Sequence, residues 1–158
     1  MSQRGTDPAT EKRRLRAREE SENDPLGRWL QDLFDGTAEA VVLAIPALLF
    51  SILSSDIAAS SAAMGATVVL SVGIAAYRNG RLSVGPEWPP MNTAFVLLRV
   101  VWYNVAVVAA LFVGATSAAT PVAPSELVVA GFVGGGVAAV AVLSLSSAAA
   151  AIETVRGV

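Results

Sequence analysis

The chain has 158 residues, of which 54% are apolar and 15% charged, with 11 Lys/Arg against 13 Asp/Glu and neither Cys nor His. That composition excludes disulfides, thiolate chemistry and the usual zinc and haem ligands, so no cofactor, no metal and no enzyme activity are expected. Seven of the basic and nine of the acidic residues fall within residues 1–39. Residues 40–158 hold far less than the roughly one quarter of charged residues that cover a water-soluble surface, so lipid is the expected solvent.

Residues 1–24 read as a charged cytoplasmic tail with little to bury, either disordered or a solvated, fraying helix. Asp24-Pro25 then reads as an N-cap with proline at the first helical position. Leu26, Trp29, Leu30, Leu33 and Phe34 recur at helical spacing, which predicts a short amphipathic interfacial helix over 25–36 with Gly36 as its stop. From Ala40 to Tyr77 the only charge is Asp56. A straight helix of that length would be about 57 Å long, whereas a bilayer core is about 30 Å thick, so the run predicts two crossings around a turn at Ser54-Ser55-Asp56. The first apolar run begins too far along the chain for a signal peptide, and its helix is expected to be retained.

The expected crossings are about 38–54, 57–77, 94–115 and 126–152, within a transmembrane domain over 37–153. The first carries Pro46. Arg78-Asn79-Gly80-Arg81 closes the second as a glycine C-cap with cations at the helix end. The proline-rich stretch through Pro86-Glu87-Trp88-Pro89-Pro90 is a loop. The fourth, at roughly 40 Å, exceeds the hydrocarbon thickness and is expected to tilt or bend. Basic residues sit in the N-terminal segment, the 78–93 loop and the C-terminus, while the two other connections have none. By the positive-inside rule this places both termini in the cytoplasm. The expected fold is therefore all-α: an integral membrane four-helix bundle, N-in and C-in, of the cell membrane. One Lys among the 11 basic residues, abundant Ala and Val, and an isoelectric point near 5.1 fit a GC-rich prokaryote such as a halophilic archaeon.

Ionisable residues inside a membrane are costly and therefore informative. Arg99 lies about 7 Å inside the third crossing, level with Glu39 and Glu153, which predicts a cytoplasmic-side ion pair among the three. Counting along each helix places Pro46, Thr67, Asn104 and Gly134-Gly135-Gly136 about 12–16 Å deep, a candidate midplane polar layer. Asp56 and Glu126 read as helix caps. Small residues recur every four positions, as Ala130, Gly134, Ala138 and as Ala58, Ala62, Ala66, a pattern that lets helices approach closely. Lys12, Arg13, Arg14, Arg16, Arg18 and Trp29 are the expected lipid-contacting residues. Residues 1–35 sum to seven positive and eight negative charges, so nucleic acid is not expected as a partner. These readings predict a non-enzymatic accessory, assembly or anchoring subunit that packs against membrane lipids and against a second copy or another membrane protein. The alternative is a small oligomeric transporter or channel using the midplane layer.

Overall fold

A computed structural model describes residues 9–14, 24–54, 56–90, 92–118 and 126–156. Residues 9–14 are helical (α1), and the rest of the tail up to residue 23 lies outside the described residues. Five further helices follow: α2 Pro25–Leu43, α3 Ile45–Leu53, α4 Ile57–Arg78, α5 Thr93–Ala118 and α6 Glu126–Arg156. No strand occurs among the described residues. Three stretches, Ile57–Arg78, Thr93–Thr116 and Leu127–Val155, are long and apolar enough to cross a membrane, and α2 with α3 adds a fourth if the bent pair counts as one span.

Local chemistry sets where the helices begin. Asp24 caps α2, its Oδ1 accepting from the Leu26 N–H at 3.0 Å, with Pro25 supplying the preset backbone angle of the first turn. Asp56 caps α4 through bonds from the N–H groups of Ala58 (2.8 Å) and Ala59 (3.2 Å).

The expected stop at Gly36 is corrected by the structure: α2 runs through it to Leu43. Gly36 is buried where α2 meets α4, and a Cβ there would lie 2.6 Å from the Ser71 carbonyl oxygen and 2.9 Å from the Ala75 nitrogen. The glycine is needed for close approach rather than for a turn. The stretches expected to form an interfacial helix and the start of a first crossing are thus one element. The real interruption comes at Ala44, where α2 and α3 meet at a bend of 68°. Pro46 accounts for it, since its ring clashes with the preceding turn and leaves the Val42 carbonyl without a helical donor.

α4 and α6 run side by side in the same direction and share the largest contact, with α5 packed against both. Their closest approach is made by backbone: a Cβ on Gly65 would overlap the Gly131 carbonyl, and one on Gly134 the Ala62 carbonyl. Small residues therefore do within this chain what the four-residue rows predict for helix pairs in general. Leu70, Ile74, Tyr103, Val107 and Leu145 are fully buried in the core. At one end of it, Gly80 (φ +67°) ends α4, and the N–H groups of Arg81 and Leu82 turn back to the Ala76 carbonyl at 2.9 and 3.0 Å.

Candidate functional site

Two polar constellations occupy the interior, both completed by α5. The first surrounds Arg99, whose side chain is 1% exposed. Its Nη1 lies 3.3 Å from Glu39 Oε1, Nη2 donates to the Pro89 carbonyl, and Cζ sits 5.3 Å from the centroid of the Trp88 ring. Glu39 Oε1 also accepts from the Tyr103 hydroxyl at 2.9 Å, and Oε2 faces Arg78 Nη1 at 3.5 Å. Tyr103 lies one helical turn beyond Arg99, so both project onto the same side of α5. Burying a charge costs several kcal/mol unless partners and hydrogen bonds offset it. Here one carboxylate takes two cations and a phenol, while the guanidinium takes a carboxylate, a carbonyl and an aromatic face.

The loop over 79–90 closes over this cluster. Tyr77 donates its hydroxyl to the Val84 carbonyl and packs its ring against Trp88 at 5.5 Å between centroids. Beneath the same loop, Trp88 Nε1 and Ser146 Oγ are buried without a hydrogen-bond partner among the described residues.

Of the expected trio, Arg99 and Glu39 meet, but Glu153 does not join them. It is exposed and makes no ion pair with a described residue. The last buried position on α6 is Ala149, so by Glu153 the helix has run past its neighbours. The third charged member is instead Arg78, a second cation on Glu39. In the sequence Arg78 reads only as a helix-end cation, and nothing there singles out Tyr103. The signal that could have found Tyr103 is its four-residue spacing from Arg99.

The second constellation is at the bend. Asn104 Oδ1 accepts from the Ala47 N–H at 2.8 Å, and Nδ2 donates to the Leu43 carbonyl at 2.8 Å and to the Val100 carbonyl at 2.6 Å. In an unbroken helix the Ala47 N–H would donate to the Leu43 carbonyl. The side-chain amide of α5 has inserted itself into that one missing rung and satisfies both halves.

The remaining residues of the expected midplane layer do not converge there. Pro46 is exposed and acts through the bend. Thr67 donates to the Ala63 carbonyl of its own helix at 2.7 Å. Gly134 belongs to the contact with Ala62, Gly135 faces Val69, and Gly136 has open space where a Cβ would be. Of the residues expected to contact lipid, Lys12, Arg13 and Arg14 are exposed on α1, Trp29 is 42% exposed, and Arg16 and Arg18 lie outside the described residues. Glu126 opens α6, with its side chain outside the described set.

Over its described residues the protein is all-helical, with three or four helices long and apolar enough to cross a membrane and a buried ion cluster at one end. The chain belongs to the family described as a domain of unknown function, DUF8215, whose model matches residues 23–152. No curated protein and no solved structure matches it. The family match begins just before the Asp24 cap and ends just before Glu153, so it spans both constellations and leaves out the charged tail.

Proposed function

We propose that this chain is a four-span protein of the cell membrane, with α2 and α3 forming one bent span and both termini cytoplasmic. In this reading it is a non-enzymatic accessory, assembly or anchoring subunit that works through helix packing, in contact with lipid and with a second copy or another membrane protein. The observation that carries the reading is the engagement of Asn104. Its amide, the polar side chain best placed for a transport site, is spent on backbone groups of its own chain. The Arg99–Glu39 cluster is likewise turned inward and roofed by the 79–90 loop. A bundle that turns its Asn104 amide and its Arg99–Glu39 pair onto groups of its own chain is organised for rigidity rather than for cargo that enters and leaves.

Topology is tested by single-cysteine labelling, which the absence of native Cys makes free of background. With a membrane-impermeant maleimide, Val84→Cys is expected to react only from the cytoplasmic side and Thr120→Cys only from outside; the reverse pattern overturns the orientation. Function is tested in proteoliposomes under proton, sodium and potassium gradients, where the wild-type chain is expected to conduct no more than empty vesicles. A flux carried by the wild type and lost in folded Asn104→Leu protein would establish the transporter instead.

A further inference from the structure

Where α2 begins and α4 ends, the chain leaves a cleft of about 290 Å³ lined by Pro25, Arg28, Asp32, Asn79 and Arg81. That volume is just below the roughly 300–1,000 Å³ of small-molecule sites, enough for a headgroup but not for a whole lipid. Arg81 reaches it because the left-handed turn at Gly80 swings the chain back across α2. Its Nη2 lies 3.4 Å from Asp32 Oδ2. Asn79 uses its amide on the Ala75 carbonyl at 3.0 Å. The Arg28 guanidinium makes no hydrogen bond or ion pair with another of the described residues. Two cations and one carboxylate leave the lining with net positive charge, although the Asp24 carboxylate stands nearby as the α2 cap.

A second, apolar pocket of about 40 Å³ adjoins this cleft and shares Asp32 and Arg81 with it; Trp29, Leu33 and Val72 contribute to its walls. Outside it, Leu26, Trp29 and Leu30 are exposed along α2. A polar cleft bearing two guanidinium groups, continuous with an apolar pocket and an apolar helix face, is complementary to a ligand that is anionic at one end and hydrocarbon at the other.

We propose that this cleft binds the phosphate of an anionic phospholipid, held by Arg28 and Arg81, with an acyl chain lying against Trp29. The assignment rests on the membrane reading above and names a site separate from the basic run at Lys12-Arg13-Arg14. A planar guanidinium suits phosphate oxygens, and each cation near an anionic lipid surface contributes a few-fold in affinity.

Full-length protein in neutral mixed micelles, challenged with equal phosphatidylglycerol and phosphatidylcholine and read by native mass spectrometry, tests the assignment. The wild type is expected to retain phosphatidylglycerol preferentially. Arg28→Gln and Arg81→Gln are each expected to weaken that preference about fivefold, and the pair about thirtyfold. Asp32→Asn, which frees Arg81 and leaves both cations in place, is expected to strengthen it, so a loss caused only by misfolding is told apart. Loss of the preference in Lys12→Gln/Arg13→Gln/Arg14→Gln with no change in the Arg28/Arg81 pair would overturn the proposal. Displacement of the lipid by millimolar inorganic phosphate would make free phosphate the ligand and overturn it equally. Labelling of Val84→Cys from outside would sink the topology while leaving the lipid preference to be judged by its own result.

Discussion

Replacing Asn104 by Leu removes the side-chain amide from the bend while keeping a side chain of similar bulk. The Ala47 N–H and the Leu43 carbonyl then lose the partners they have at 2.8 Å. Two orphaned groups at about 1–3 kcal/mol each give about 2–6 kcal/mol. Interhelical hydrogen bonds in membranes, at about 0.6–1.7 kcal/mol each, give about 1–3 for two. The ranges overlap at about 2–3 kcal/mol, which is the expected loss. Unfolding in mixed micelles by sodium dodecyl sulfate titration, monitored by far-ultraviolet circular dichroism, measures it. Pro46→Ala supplies the cross-check, because it restores an N–H for the Val42 carbonyl and removes the ring that opens the ladder. In that background the rung from Ala47 to Leu43 can re-form, and Asn104→Leu is expected to cost only about 1 kcal/mol. A loss within about 0.5 kcal/mol of zero in the wild-type background, or an equal loss in both backgrounds, would refute the reasoning.

The glycine triplet gives an internal contrast in the same assay. Gly134→Ala is expected to push α4 and α6 apart and cost about 1–3 kcal/mol, whereas Gly136→Ala, which meets nothing within 4 Å, is expected to stabilise by about 0.5–1 kcal/mol; equal effects would remove Gly134 from the contact. Arg99→Met is expected to cost about 3–5 kcal/mol because it strips a buried carboxylate of its closest cation. Glu39→Gln is expected to destabilise too, and the double variant to lose less than the sum, with additivity counting against a shared cluster. Asp56→Ala is expected to cost about 1 kcal/mol while Asp56→Asn is nearly silent, since either side chain can cap α4. A loss in Asp56→Asn as large as in Asp56→Ala would show that the charge matters and the cap does not.

How much of this molecule is legible in its sequence depends on how far apart interacting residues lie along the chain. Asp24 and Asp56 cap helices within three residues of themselves, so the signal is local. Rise per residue puts Glu39 and Arg99 at one level. It says nothing about which way a helix is turned, so it misses Arg78 and wrongly includes Glu153. Gly36 misleads because a glycine that ends a helix and a glycine that admits another backbone look alike until the second helix is known. Asn104 stands out as an amide in an apolar run, yet its partners are 57 and 61 residues away. The interruption falls at Ala44 rather than Gly36 because Pro46 acts on the turn before it.

The order in which the chain is made gives the position of Asn104 and Arg99 a further meaning. Glu39, Leu43, Ala47, Arg78 and Pro89 all leave the ribosome before α5 does. Until α5 arrives, the bent pair carries an open rung and Glu39 lacks both its nearest cation and its phenol. A chain stopped after α4 therefore has Arg78 as the one cation beside Glu39 and no side chain for the open rung, and α5 supplies Arg99, Tyr103 and Asn104 together. The bent α2–α3 pair has its full set of hydrogen-bond partners only when α5 is in place.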